Sequence, residues 1–293
     1  MRSRARTLFK LVGGAARKSL PAQVLLMWTD EKRLTSRVLN VMGAQPVRAY
    51  VAEGLRRRRR PKLLEPSVAE FDAVLERDGI IAIPDYYPAV LFAAMRAEVR
   101  RLIEGDGLFR EEKFGAVYEI GRILKLDAAA FPALHQFALD PVIRQLASSN
   151  QGQQLSSEDL RPQVYRVRTV PNASDENQES HADTFHATTK GWLYLHDVDV
   201  ADGCFWYARG SHRITNERLR FEYEKSLRGR GNGSWRLEPG DERVLGCELA
   251  PVPVRANTLV IANTCGFHRR GDTDSNAFRD TLHFSARVSP FRG

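Results

Sequence analysis

The stretch HADTFHATTKGWLYLHD, residues 181–197, combines metal-ligating side chains with a strand-like pattern. His181 and Asp183 are two positions apart, so on a β-strand both side chains would point to the same face. One strand could therefore offer two ligands to a single metal ion, and a third ligand must come from elsewhere in the chain. The candidate is His268, which follows the apolar run at residues 258–262 and is expected near the end of a strand.

Two histidines and one carboxylate on one face form a facial triad, whose open coordination positions suit non-haem Fe(II) oxygen chemistry. Open positions are needed because a chelating co-substrate and O₂ both have to reach the metal. After His268 comes Arg279, whose planar guanidinium could hold the far carboxylate of a dicarboxylic co-substrate through two hydrogen bonds. A zinc or manganese site of a cupin-like hydrolase or isomerase stays open at this point, although such a reaction has no need of Arg279.

Helical and strand-like patterns occupy different parts of the chain. Helices are expected at residues 89–103 and 131–147, and a short apolar run of strand type lies between residues 80 and 83. The later strand-like runs are at residues 163–170, 191–200, 204–208, 259–262 and 281–288. Helices followed by antiparallel strands predict a mainly β domain with a helical buttress, in the form of a barrel or jelly roll preceded by N-terminal helices.

Residues 213–250 interrupt the strand-like runs with a long polar segment that includes GRGNGS at residues 229–234. The segment is too long for a hairpin connection, and insertions of this length are typically lids or flexible excursions. We therefore expect a domain over residues 63–293 with a candidate lid at residues 213–250.

The N-terminal arm, residues 1–62, carries a net charge of +13, whereas the whole chain carries +8. Five consecutive arginines occupy residues 56–60. The arm is either a solvated helical appendage or an anchor for an anionic surface, such as a membrane leaflet or a lipid-linked acidic substrate. Nucleic acid is disfavoured because aromatic residues are sparse among the arginines and no recognition motif accompanies them. The acid-poor first 29 residues also have the composition of a mitochondrial transit peptide.

Composition excludes several classes of protein. A hydrophobic content of 43% supports a real core, and no apolar run is long enough to span a membrane. The three cysteines show no CxxC spacing, which disfavours a disulfide framework or a cysteine zinc site and fits a reducing cytosol. The predicted location is cytoplasmic, with peripheral contact at the inner membrane face if the arm binds anionic lipid.

Several motifs together resemble the iron- and 2-oxoglutarate-dependent dioxygenases of the phytanoyl-CoA dioxygenase family. The motifs are FDAVLERDGIIAIPDYYPAVLFAAMRAEVRRL, HADTFH, GWLYLHDVDVADGCFWYARGSHR, NTLVIANTCGFHRRGD and FRDTL, in this order. The resemblance covers roughly residues 68–290 and leaves the arm outside. It implies a double-stranded β-helix, which is a jelly-roll or cupin-type barrel, and the cofactors Fe(II), 2-oxoglutarate and O₂.

The resemblance also implies roles for individual residues. The iron ligands would be His181, Asp183 and His268, with no further catalytic residue beyond the iron centre. The co-substrate contacts would be Arg279 on the C5 carboxylate, Gln163 and Trp192 beside the co-substrate, and Lys190, which shares the face of Trp192 and could add charge. Asp183 favours hydroxylation, since related halogenases carry a small residue at this position.

Within the family, the runs DTFHATTKGW (residues 183–192) and RFEYEKS (residues 220–226) are similar to a bacterial branch associated with hydroxylation of Kdo, the acidic sugar of lipopolysaccharide. The predicted reaction is hydroxylation of an unactivated C–H bond, with a lipid-linked acidic sugar as the leading substrate. The alternatives are a small natural product or an acyl thioester as substrate, and a non-catalytic metal-binding cupin-like protein.

The remaining histidines are expected to have structural roles. His186, His196 and His283 are predicted to be packed or hydrogen-bonded rather than metal-ligating. His212 is expected to order the turn that it occupies, and His135 to lie on a helix away from the site.

Overall fold

The computed structural model describes residues 24–25, 27–29, 31–61, 65–113, 115–169, 177–228, 233–273 and 278–291. The helices are α1 (Arg37–Val41), α2 (Ala44–Arg59), α3 (Pro66–Asp78), α4 (Ala89–Glu104), α5 (Pro132–Ala138), α6 (Pro141–Gln151), α7 (Ser157–Leu160), α8 (Asn216–Arg228) and α9 (Asp241–Leu245). None of the described helices is long and apolar enough to cross a membrane.

The strands form two antiparallel sheets. The strands are β1 (Ile80–Ile83), β2 (Phe109–Lys113), β3 (Ala116–Arg122), β4 (Gln163–Thr169), β5 (His181–Ala182), β6 (Thr189–Tyr194), β7 (Phe205–Ala208), β8 (Trp235–Arg236), β9 (Leu249–Val252), β10 (Leu259–Asn263), β11 (His268–Arg270) and β12 (Arg279–Ala286). The larger sheet has the order β1-β10-β6-β12-β4-β3-β2, and the smaller has the order β8-β5-β11-β7-β9. This is the predicted mainly β barrel with N-terminal helices.

Alternation along β12 separates the hydrophobic core from the cavity inside the barrel. Leu282 and Phe284 point into the main core, where the larger sheet packs against helices α3 to α6. Thr281 and His283, one position away from each, line the cavity instead. Gly191 pairs with Phe284 on the next strand, and a Cβ at position 191 would lie 2.3 Å from the Phe284 ring. Close packing of these two strands therefore requires glycine.

The predicted helix at residues 131–147 is two helices, α5 and α6. Asp140 lies between them, and its carboxylate accepts hydrogen bonds from the backbone N–H groups of Val142 and Ile143. Pro141 takes the first position of α6, where its missing N–H costs nothing. The apolar periodicity continues across this cap, which is why the pattern alone predicts one helix.

The described part of the N-terminal arm packs against the segment that follows the strand β7. Helices α1 and α2 both contact α8, which lies within residues 213–250. Buried Gln45 donates to the Glu222 carboxylate at 2.8 Å, and Asn40 donates to the Ser226 carbonyl at 3.1 Å. The centre of the predicted lid, residues 229–232, lies outside the described residues.

Two of the five consecutive arginines are neutralised inside the protein. The Arg56 guanidinium is buried and contacts the carboxylates of Glu53 and Glu76 at 2.7 and 2.8 Å. Arg60 contacts Asp72 at 2.5 Å. Only part of the positive charge at residues 56–60 therefore faces solvent.

Candidate metal and co-substrate site

Three predicted ligands meet on neighbouring strands of the smaller sheet. His181 on β5 and His268 on β11 are direct cross-strand partners, and Asp183 follows β5. One ligand atom from each residue lies within 4.8 Å of the other two. The Asp183 carboxylate oxygens are 3.9 Å from His181 Nε2 and 4.0 Å from His268 Nε2. This spacing leaves room for one ion among the three side chains.

Hydrogen bonds fix both histidines in the form that a metal requires. His181 Nδ1 lies 2.8 Å from the Glu179 carbonyl, and His268 Nδ1 lies 2.9 Å from the Gly266 carbonyl. Because a carbonyl only accepts, each Nδ1 carries the proton and each Nε2 presents a lone pair to Asp183. Burial lowers the pKa of His181, and burial together with His181 lowers the pKa of His268 to about 3. Both imidazoles are therefore neutral at neutral pH and suited to coordinate a cation.

Asp183 stays ionised although it is largely buried. Burial by itself would raise the pKa of Asp183, but the charge of the Lys190 ammonium holds it well below its usual range. Lys190 Nζ lies 2.6 Å from the Asp183 carboxylate. The triad thus offers two neutral nitrogens and one negative oxygen ligand, which matches the facial triad of non-haem iron enzymes.

The triad lies in the wall of a cavity of about 680 Å³ between the two sheets. Trp192 and His283 contribute from the larger sheet, and Phe205 contributes from the smaller one. The Trp192 ring lies 4.9 Å from the Phe205 ring and 5.6 Å from the His283 ring, so aromatic surface covers this part of the wall. The cavity has the size and mixed lining of a small-molecule site.

Arg279 reaches the same cavity from the first residue of β12. Its guanidinium donates to the backbone carbonyls of Asp202 and Gly203, which precede β7. A guanidinium held in this way presents its remaining N–H groups in a fixed direction, as carboxylate recognition requires.

Of the other three predicted co-substrate residues, two line the cavity and one does not. Trp192 and Lys190 line the cavity. Gln163 pairs with His283 across β4 and β12 but is not among the residues that line the cavity. Lys190 forms an ion pair with Asp183, a contact that strand alternation alone did not indicate.

Sequence reasoning missed the residues that reach the cavity from outside the barrel strands. Lys32 and Arg33 come from the N-terminal arm, and Ser234 and Arg236 come from the segment at residues 213–250. No motif marks these positions, because their approach depends on how α1 and α2 pack against α8. The positive charge of the N-terminal arm was the one sequence feature that indicated that the arm binds an anion.

The histidines outside the triad take structural positions. His283 is buried, stacks on Tyr165 at 4.9 Å between ring centres, and burial lowers its pKa to about 3. His196 Nε2 accepts from the Asp280 N–H at 2.9 Å. His212 and His135 each bind a backbone carbonyl, and His186 is buried outside the triad.

A family model described as phytanoyl-CoA dioxygenase (PhyH) matches residues 75–281. The chain belongs to the phytanoyl-CoA dioxygenase family. The resemblance predicted from the motifs is thereby confirmed, and with it the assignment of this family member as a 2-oxoglutarate-dependent dioxygenase. No curated protein matches the chain in sequence.

Solved structures of similar fold include the epimerase SnoN in complex with ferric iron, alpha ketoglutarate and nogalamycin RO. It has 19% identity and a TM-score of 0.51, over 75% of this chain and 82% of that chain. HygX from Streptomyces hygroscopicus, solved with nickel and 2-oxoglutarate, has 18% identity and a TM-score of 0.45, over 76% and 87% of the two chains. The likeness to SnoN confirms the predicted jelly-roll fold of this family member.

Proposed function

We propose that this family member hydroxylates an unactivated C–H bond of an acidic, lipid-linked sugar such as Kdo, at the expense of 2-oxoglutarate and O₂. The observation that carries the proposal is the convergence of His181, Asp183 and His268 within 4.8 Å in a cavity that Arg279 also lines. In the overall reaction, 2-oxoglutarate, O₂ and the substrate C–H give succinate, CO₂ and the hydroxylated product.

The chemistry of the donor set fits iron. His181 and His268 would each bind Fe(II) through Nε2, and Asp183 would bind through a carboxylate oxygen. Bound Fe(II) would supply the activation of O₂ that is coupled to decarboxylation of the co-substrate. The Lys190 ammonium keeps the Asp183 carboxylate deprotonated and orients it, so that the ligand set is ready before the metal arrives.

Arg279 would bind the far carboxylate of 2-oxoglutarate, with Trp192 as the apolar wall beside it. The two carbonyls that accept from Arg279 hold the guanidinium in place, which lowers the entropy lost on binding. We also propose that Lys190 adds positive charge to this part of the cavity. Gln163 is not among the residues that line the cavity, so we assign it no direct contact with the co-substrate.

The charge of the cavity supports an acidic substrate. Among the described residues, seven lysines and arginines line the cavity and Asp183 is the one acidic residue that does. The co-substrate would neutralise part of this charge, and a second anion would neutralise more. A small natural product or an acyl thioester is the alternative substrate, and SnoN holds nogalamycin RO in a similar fold.

The outer surface of the arm supports peripheral contact with an anionic membrane. Val38, Val41, Met42, Val47 and Tyr50 are exposed, although all five are apolar or aromatic. The only acidic residue at positions 32–60 is Glu53, which is paired with arginines. Exposed apolar side chains beside uncompensated positive charge are the features of a surface that lies on anionic lipid. A cytoplasmic location at the inner membrane face would follow.

Product analysis tests the substrate. The protein with Fe(II), 2-oxoglutarate and O₂ is supplied with a Kdo-bearing lipid A precursor, and succinate is measured together with the mass of the sugar. The proposal expects succinate formation that depends on the lipid and one added oxygen atom on Kdo. Equal succinate with and without the lipid, and no added oxygen, would favour a natural product or acyl thioester.

Vesicle binding tests the membrane surface separately. Met42→Glu should weaken co-sedimentation with phosphatidylglycerol vesicles and leave co-sedimentation with phosphatidylcholine vesicles low. The matched control is Val90→Glu, which places the same charge at an exposed valine on α4. Equal loss in both variants would remove the argument for this surface.

A further inference from the structure

We propose that Lys32, supported by Ser234, binds an oxyanion of the substrate on the side of the metal triad opposite Arg279. The oxyanion is a carboxylate or a phosphate. This inference rests on the proposed function, because it names the substrate group that the same cavity would take and the residues that would hold it.

Lys32 is a cation in the cavity wall, and it has no acidic partner among the residues that the structure describes. Its ammonium donates to Ser234 Oγ at 2.8 Å, and it forms no ion pair with a described residue. The side chain is half-buried, and burial lowers the pKa of Lys32, against the attraction of Asp183. Removing an ammonium from water without a counter-ion costs free energy. An anionic ligand would recover that cost.

Two neighbouring cations of the cavity, in contrast to Lys32, each form an ion pair with an acid. Lys190 binds Asp183 at 2.6 Å, and Arg236 binds Glu179 at 3.0 Å. The field of these cations still reaches Lys32, since Lys190 and Arg236 both act to lower its pKa. An added negative group at Lys32 would therefore relieve repulsion between these positive charges.

Arg33 fixes the backbone beside Lys32 and Ser234, the two residues that form the Lys32 subsite. Its guanidinium donates to the carbonyl of Ser234 and lies 4.1 Å from the centre of the Trp235 ring. Trp235 on β8 pairs with Ala182 on β5, and Ala182 lies between His181 and Asp183 in sequence. The Lys32 subsite is thus attached to the strand next to the one that carries His181.

The segment that carries Lys32 is held by the helix α2. Arg48 is fully buried and donates to the carbonyls of Thr29 and Glu31 at 2.8 Å each. The Leu34 N–H donates to the Gln45 side chain at 3.3 Å. These contacts on both sides of Lys32 fix its backbone, so the ammonium is positioned before any ligand binds.

The order of strands puts the triad between two cationic subsites. Ser234 precedes β8, which pairs with β5, and β5 pairs with β11. Beyond β11 lies β7, and the carbonyl of Gly203 just before β7 accepts from Arg279. A co-substrate at Arg279 and a substrate anion at Lys32 would therefore approach the metal from opposite sides. That arrangement places the body of the substrate, with its C–H bonds, over the triad.

The test measures binding of defined anions to the full-length protein loaded with Fe(II) and 2-oxoglutarate without oxygen. The probes are free Kdo, Kdo methyl ester and inorganic phosphate, titrated calorimetrically. Lys32→Met removes the charge and keeps the side-chain length, and Lys32→Arg restores the charge. Lys125→Met is the matched control, because Lys125 is exposed and lies outside the cavity lining.

The proposal expects Lys32→Met to raise the Kd of Kdo or phosphate by about tenfold or more, as for loss of a charge-assisted hydrogen bond. Lys32→Arg should recover much of the affinity, and Lys125→Met should bind like wild type. If Lys32 binds a carboxylate, the Kd of Kdo methyl ester for wild type should equal the Kd of free Kdo for Lys32→Met. A phosphate subsite predicts that only the phosphate titration responds to Lys32→Met.

Two results would overturn the proposal. One is an equal Kd of Kdo and of phosphate in wild type and Lys32→Met, which includes the absence of binding in both. The other is a parallel loss of 2-oxoglutarate affinity in Lys32→Met, which would assign Lys32 to the co-substrate. Failure of the proposed function is distinguishable, because wild type would then add no oxygen to Kdo in the product analysis, while inorganic phosphate would still bind wild type more tightly than it binds Lys32→Met.

Discussion

The two sides of the cavity are built from different parts of the chain. On the Arg279 side, the metal ligands and the co-substrate wall come from barrel strands, all within the residues that match the family model. On the Lys32 side, the wall comes from residues before that match begins and from the segment that carries α8 and β8. The metal triad and Arg279 thus belong to the barrel, whereas elements packed onto the barrel form the Lys32 side of the cavity.

The largest effect is expected for loss of a metal ligand on the Arg279 side of the cavity, which is the side built from barrel strands. His268→Ala removes one of the triad ligands and should abolish both iron retention and 2-oxoglutarate turnover, because the remaining two ligands cannot hold the metal in a facial geometry. His135→Ala, at a helical histidine that binds only a backbone carbonyl, should retain both. Iron content by metal analysis and succinate formation are the measurements. Full iron occupancy in His268→Ala would contradict the assignment of this ligand.

A smaller effect is expected where the N-terminal segment is held in place. Arg48→Met removes two hydrogen bonds to backbone carbonyls and the contact with the Phe185 ring, at 3.8 Å. The free energy of unfolding should fall by about 2 kcal/mol. Because the change is on the Lys32 side, the variant should still bind Fe(II) and 2-oxoglutarate once folded. Denaturant unfolding and co-substrate titration check the two parts, and loss of co-substrate binding would show that the two sides are not separable.

The smallest effect concerns the pH dependence of stability on the barrel side. The folded protein holds the pKa of His283 at about 3, below the value in an unfolded chain of about 6.5. The unfolded state therefore binds the extra proton, and stability should decrease as pH falls from about 6.5 towards 3, by up to about 1.4 kcal/mol per pH unit for this residue.

His283→Phe keeps an aromatic ring against Tyr165 and removes the titrating group. Between pH 7 and pH 5 the metal-free variant should lose less of its Tm than metal-free wild type does. An identical pH dependence in the two proteins would contradict the lowered pKa of His283 in the folded state.

The sequence predicted the barrel side well because strand alternation is a local rule. The spacing of His181 and Asp183 placed both side chains beside one site, and the apolar run before His268 became the buried strand β10. The bounds of α4 and β1 also followed from local periodicity and from the turn residues that flank them.

The Lys32 side of the cavity could not be predicted in the same way. Lys32 and Arg33 lie 149 and 148 positions before His181 in the sequence. The contact of α2 with α8 that brings them close has no sequence motif. Charge alone indicated an appendage or a surface anchor for residues 1–62. The structure adds that some of this charge lines the cavity, while buried Arg56 serves the packing of the arm on the barrel.

The most direct test of the account is the visible absorption of the protein with Fe(II) and 2-oxoglutarate in the absence of oxygen. Chelation of iron by the co-substrate should produce a charge-transfer band in wild type. The band should be absent in Asp183→Ala, and in Arg279→Gln it should need about 100-fold more 2-oxoglutarate. Arg269→Gln, at a cavity arginine that pairs with Asp272, should behave like wild type. No band in wild type, with iron shown to be bound, would contradict the assignment of this cavity as a 2-oxoglutarate site.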